Sequence, residues 1–80
     1  MVYPVVWSDS AFVSAQRFLS DDPDGLLTVF DRADLLSEEP RPPSAARWGS
    51  ERFRLRVGRY RLLYEVSKDM VTIIHLGRRQ

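Results

Sequence analysis

A cluster of arginines and a single histidine carry whatever chemistry this sequence can perform. From Glu51 to Val66 the chain reads Glu-Arg-Phe-Arg-Leu-Arg-Val-Gly-Arg-Tyr-Arg-Leu-Leu-Tyr-Glu-Val, and it closes on Ile73-Ile-His-Leu-Gly-Arg-Arg79 before Gln80. Guanidinium groups bind phosphate oxygens bidentately and oppose negative charge that develops on them. They stay protonated, so Arg54 and Arg56 cannot serve as general bases. His75, the one histidine, is the side chain able to take up and release a proton near neutral pH. The alternative for His75 is a structural strand histidine. For the arginines it is a solvated strand face, against which stands the mutual repulsion of four neighbouring like charges.

These residues need a sheet to position them. Phe53, Leu55 and Val57 alternate with Arg52, Arg54 and Arg56, as in a half-buried strand. After Gly58, Tyr60, Leu62, Tyr64 and Val66 alternate with Arg59, Arg61, Leu63 and Glu65, a second strand. Ser67 to Asp69 form a short polar link, and Met70 to Leu76, rich in β-branched residues, reads as a third. Short links make this an antiparallel meander. Strict alternation groups His75 with Val71 and Ile73, and that set is assigned to the arginine face. Tyr60 and Tyr64 are read as core aromatics with hydroxyls at the rim, and Glu65 as neutralising a neighbouring arginine.

Upstream, Tyr3 to Trp7 is a short strand, where Pro4 requires an edge or a strand beginning. Ser8 caps a first helix with an apolar stripe of Ala11, Phe12, Ala15, Phe18 and Leu19. Asp22-Pro23-Asp24 starts a second, facing inward through Leu26, Leu27, Phe30, Ala33 and Leu36 and stopped by Pro40. Residues 39–50 read as irregular, with Trp48 as the anchor that holds them down rather than a stacking platform. The expectation is one α+β domain over residues 1–80: an N-terminal strand, a two-helix hairpin and a three-strand meander completing one sheet.

Composition narrows the classes. The 80 residues suffice for one small core. No cysteine is present, which removes disulfides, a thiol nucleophile and thiolate metal sites. One histidine leaves no histidine-built metal site, and no cofactor is called for. No apolar run reaches membrane-span length and the start does not resemble a secretory signal, so a cytoplasmic protein is expected. The net charge of +1 hides a division: residues 1–40 hold two arginines against eight acids, a net −6, while residues 41–80 hold ten cations against three acids, a net +7. Such polarity fits a basic surface for a polyanion or an acidic partner.

The pattern Arg-Leu-Arg-x-Gly-x-Tyr-Arg-x-x-Tyr, within residues 52–66, together with Ile-Ile-His-Leu-Gly-Arg-Arg at 73–79, resembles the RelE/ParE superfamily of bacterial type II toxins. The resemblance implies a two-layer RelE-like fold. For RelE-like members it implies metal-independent endoribonuclease activity on messenger RNA in the ribosome, with the RNA 2′-hydroxyl as nucleophile. Residue by residue, it places Arg54, Arg56, Arg61 and Arg79 at positions that hold and stabilise the scissile phosphate. With the residue reading of His75 as general base, these five form the candidate catalytic set, and Arg52, Arg59 and Arg78 the candidate RNA-binding set. The implied partners are an acidic RelB-like antitoxin, in a hetero-oligomeric complex, and messenger RNA on the ribosome. Two departures bear on mechanism: arginines stand where nuclease members carry lysines on the second strand, and no tyrosine follows the final arginine. They favour the alternative of a ParE-like gyrase inhibitor without chemistry, whereas Arg54, Arg56, Arg61 and Arg79 with His75 favour the nuclease; a third reading is an inactive antitoxin-binding homologue.

Overall fold

Local signals set the helix ends. In the computed structural model, which describes residues 2–79, strand β1 (Val5–Trp7) is followed by helix α1 (Asp9–Asp21) and helix α2 (Pro23–Leu35). Ser8 caps α1 by accepting the Ala11 amide at 3.2 Å. Asp22 caps α2 by accepting the Gly25 amide at 3.2 Å, and Pro23 takes the first turn, where no amide is missed. Gly25 is required there, since a Cβ would lie 2.2 Å from the Asp22 carboxylate and 3.1 Å from the Tyr60 ring. Then come β2 (Ala46–Gly49), β3 (Arg52–Val57), β4 (Tyr60–Val66) and β5 (Val71–Arg78).

The five strands form one sheet in the order β1-β5-β4-β3-β2. β1 lies at an edge, parallel to β5, with Pro4 just outside it and the Pro4 carbonyl accepting the Val71 amide. The other neighbours pair antiparallel, so the meander of β3, β4 and β5 is as the short links require. A two-residue loop joins β3 to β4. Gly58, at φ +61°, takes its first position, where type II′ hairpins need glycine. No helix among the described residues is long and apolar enough to cross a membrane.

Both helices pack on one face of the sheet. Ala11, Ala15, Leu26, Val29, Ala33 and Leu36 meet Phe53, Leu55, Val57, Tyr60, Leu62, Tyr64, Val66, Val71, Ile73 and Leu76. Tyr60 and Tyr64 lie in this core with satisfied hydroxyls: Tyr60 donates to Asp22 at 2.8 Å and Tyr64 to the Pro40 carbonyl at 2.9 Å. Burial pushes the Tyr64 phenol up to about 12.

Four expectations are corrected. Residues 46–49 form an edge strand, not irregular chain, because their backbone pairs with β3. Trp48 does not anchor that segment by burial, being 47% exposed. The helical stripes are narrower than expected: Phe12, Leu19 and Leu27 face solvent, whereas Val29 is fully buried. Finally, Val71 and Ile73 are core residues, not companions of His75 on the outer face. Leu63 pairs with His75 but Tyr64 pairs with Ile73, so Ile74 is an extra residue, a β-bulge that resets the alternation.

Ser8 fastens that bulge. Its hydroxyl donates to the Ile74 carbonyl at 2.9 Å and its amide to the Ile73 carbonyl at 2.9 Å, while the same oxygen caps α1. Ser8→Ala is expected to lower stability by about 1 kcal/mol, the usual loss at a cap, read as a lower denaturant midpoint at unchanged slope. At the other end of α1, Asp22 is held below its ordinary range by the Tyr60 hydroxyl, then by the Gly25 amide and Arg59. A depressed carboxylate stabilises the fold above its unfolded value, and that contribution disappears as pH falls through the folded value. Unfolding midpoints measured below about pH 4 should therefore fall less steeply for Asp22→Asn than for the wild type.

Candidate phosphate-binding face

The sheet face turned away from the helices is built from the residues that alternate with the core. β3 contributes Arg52, Arg54 and Arg56, all exposed, and β4 contributes Arg61, Leu63 and Glu65. Beyond the Ile74 bulge, β5 contributes His75 and Gly77. The register lays these out in cross-strand rows. Arg54 pairs with Leu63 and Leu63 with His75; Arg56 pairs with Arg61 and Arg61 with Gly77; Arg52 pairs with Glu65. Neighbouring strands lie about 4.8 Å apart, so these rows set the spacing of the side chains from below.

Trp48, Arg54, Arg61, Leu63, His75 and Gly77 line an open groove of about 310 Å³. Leu63 gives it an apolar floor in the row that carries Arg54 and His75. The His75 ring leans along its strand toward Gly77, where a Cβ would stand 3.2 Å from Nε2. Glycine at 77 thus leaves the imidazole its place beside the Arg61 row.

The arginines divide by partner. Arg52 donates through Nε to Glu65 at 2.9 Å, the neutralisation expected of Glu65, and lies over the Trp48 ring. Arg78 is turned to the helix side: it pairs with Asp21 and its guanidinium sits 4.6 Å from the Phe18 ring centroid. Arg59 does not share the outer strand face as alternation suggested. It occupies the hairpin loop and reaches Asp22 at 3.6 Å. Within 4 Å, Arg54, Arg56 and Arg61 have no carboxylate partner among the described residues.

The five candidate catalytic residues therefore fall into two adjoining places. Arg54, Arg61 and His75 share the groove. Arg56 and Arg79 share a small hollow with Arg61, Arg59, Gly58 and Tyr60. Arg79 lies just beyond β5 and is brought there by its amide, which donates to the Arg59 carbonyl at 2.7 Å. Arg61 belongs to both places. Of the candidate RNA-binding set, Arg52 borders the groove through Trp48, while Arg59 and Arg78 are tied to the acidic corner between the helices.

Trp48 is the groove residue that the sequence reading assigned elsewhere. Its position between Arg47 and the Arg52 strand, among small residues and prolines that could not bury it, was the available signal. Chemically, the face can hold a phosphate between unpaired guanidiniums and offer one imidazole to a proton. Gly77→Ala should shift the His75 ring resonances in a proton–nitrogen spectrum while leaving the unfolding midpoint near that of the wild type.

No protein-family model matches the sequence, and no curated protein is significantly similar to it. Solved structures are similar. A chain of the toxin–antitoxin complex RelBE2 from Mycobacterium tuberculosis matches with a TM-score of 0.82 at 26% identity, covering 99% of this chain and 100% of that one. A chain of the archaeal RelE–RelB complex from Pyrococcus horikoshii OT3 matches with a TM-score of 0.80 at 23% identity, covering 99% and 97%. A chain of the YoeB dimer from Staphylococcus aureus matches with a TM-score of 0.75 at 14% identity over the full length of both. In fold, strand arrangement and extent, the chain is RelE-like.

Proposed function

We propose that this protein is the toxin of a type II toxin–antitoxin system, a metal-independent endoribonuclease that cuts messenger RNA on the ribosome and so inhibits translation in the cytoplasm. The observation that carries the proposal is the juxtaposition of unpaired Arg54 and Arg61 with His75 in one groove, on a fold similar to chains of toxin–antitoxin complexes. An acidic, RelB-like antitoxin is the expected partner, since a net-positive half would draw a negatively charged chain.

In this reading, Arg54 and Arg61 hold the scissile phosphate from two strands, with Arg56 and Arg79 adding positive potential from the adjoining hollow. Nε2 of His75 accepts the proton of the RNA 2′-hydroxyl. The 2′-oxygen bonds to phosphorus as the bond from phosphorus to the 5′-oxygen breaks. A 2′,3′-cyclic phosphate is left on one fragment, and the departing 5′-oxygen takes a proton from water. His75 then releases its proton to solvent. Guanidiniums carried on paired strands oppose the charge that develops on the five-coordinate phosphorus.

The test is to induce the chain in cells and map messenger RNA ends. In-frame cuts within translated regions are expected for the wild type. His75→Ala should lower cleavage by roughly 10²- to 10⁴-fold, the usual worth of a positioned base, with the fold kept. Unchanged cleavage would remove His75 from the mechanism. Double-strand DNA breaks without RNA cuts would replace the nuclease reading by gyrase inhibition, and absence of any growth effect would leave an antitoxin-binding homologue.

A further inference from the structure

We propose that the indole of Trp48 is a stacking platform for a nucleobase, so that the groove takes a single-stranded RNA segment by a base as well as by its phosphate. This rests on the RNA-directed reading of the arginine face and adds to it a subsite outside the five residues assigned to chemistry.

Large aromatics lose favourable burial when left in solvent, and the two tryptophans differ in this respect. Trp7 packs edge-on against Phe30, ring centroids 5.6 Å apart at 74°. Trp48 is 47% exposed on the edge strand. The β2–β3 register slips at this residue, with Arg47 opposite Phe53 and Gly49 opposite Arg52, so Trp48 stands out of the ladder without a partner of its own. A bulge at a sheet edge commonly re-aims a side chain in this way.

The ring is nonetheless braced. The Arg52 guanidinium lies 5.6 Å from its centroid, and Arg52 is itself fixed by the 2.9 Å bond from its Nε to Glu65. Glu65, Arg52 and Trp48 thus form a stack in which a cation supports the indole. The same indole forms a wall of the groove whose other residues include Arg54, Arg61 and apolar Leu63. A site for a bare anion has no use for an apolar floor and an aromatic wall. A nucleotide uses all of it, setting its base against indole and leucine and its phosphate against the guanidiniums. At about 310 Å³ the groove lies at the small end of ligand sites, suited to one such unit. Stacking on an aromatic is tolerant of base identity, because every base presents a π-face.

Fluorescence anisotropy on the full chain tests this with two labelled strands of equal length and charge: a single-stranded oligoribonucleotide and an abasic ribose-phosphate strand. Trp48→Ala should weaken oligoribonucleotide binding roughly tenfold or more, leave the abasic strand unaffected, and leave the salt dependence unchanged. Trp48→Phe should recover most of the loss. Arg54→Ala and Arg61→Ala should weaken both strands and each reduce the slope of log affinity against log salt by about 0.7. Equal affinity of Trp48→Ala and wild type for the oligoribonucleotide, or an equal loss on both strands, overturns the platform while the arginine results leave the RNA reading standing. Absence of binding to either strand by the wild type overturns the platform, while the messenger RNA ends mapped in cells decide the RNA reading separately.

Discussion

One extra residue in β5 governs how this molecule faces its surroundings. Without the Ile74 bulge, the alternation that buries Val71 and Ile73 would carry His75 into the helix-covered core and turn Leu76 out to solvent. With it, the strand changes phase once. Val71, Ile73 and Leu76 are all buried, and His75 joins the arginines. The bulge leaves the Ile74 carbonyl in need of a donor, which the Ser8 hydroxyl provides at 2.9 Å. That hydroxyl also caps α1, so the start of the first helix and the phase of the last strand are set by the same atom. The helix layer and the outer face are in this way mechanically connected.

The charge division of the sequence becomes a sorting of arginines in space. Arg59 and Arg78 meet Asp22 and Asp21 at the corner between the helices, and Arg41 meets Glu51 beside the β2–β3 turn. These exposed pairs contribute little to stability one by one. Their consequence is for the face they leave behind. Arg56 and Arg61 stand directly opposite each other in the β3–β4 ladder, an arrangement of like charges that weakens strand pairing. Arg54 sits in the next row without a carboxylate within 4 Å among the described residues. Glu65, the acid that β4 contributes to this face, is taken by Arg52, so an anion from outside relieves repulsion when it binds beside Arg54, Arg56 and Arg61.

Much of this architecture was legible because period-two alternation is local. β3 and β4 follow from their side chains alone, and so do the inward tyrosines and the Glu65 partnership. Ser8 and Asp22 were legible as caps because cap chemistry depends on one side chain and the next turn. What escaped was set by distant contacts. Strict alternation placed His75 on the right face beside the wrong neighbours, since a bulge appears only when β5 is paired with β4. β2 escaped because Ala46-Arg47-Trp48-Gly49 has no alternation, being a strand by virtue of pairing with β3. Arg59 was grouped with the groove arginines by strand alternation and Arg78 by its charge and place in the sequence. A hairpin loop and the helix corner, which sequence does not display, send them elsewhere.

The groove's usefulness depends on its being carried by paired strands. Arg54, Arg61 and His75 come from three consecutive strands, each hydrogen-bonded to the next, so their backbones cannot drift apart without breaking ladder bonds. Phosphate recognition by guanidiniums demands that constancy, because donors aimed beforehand stabilise charge that water would otherwise have to reorganise around. Trp48 is the exception, standing on the edge strand with pairing on one side only. Its brace is the side-chain stack through Arg52 to Glu65, which returns it to the rigidity of β3 and β4. The groove is therefore held along the arginine rows by ladder bonds and at the indole by side-chain contacts. Uniform phosphates meet the guanidiniums, and bases of any identity present a π-face to the indole.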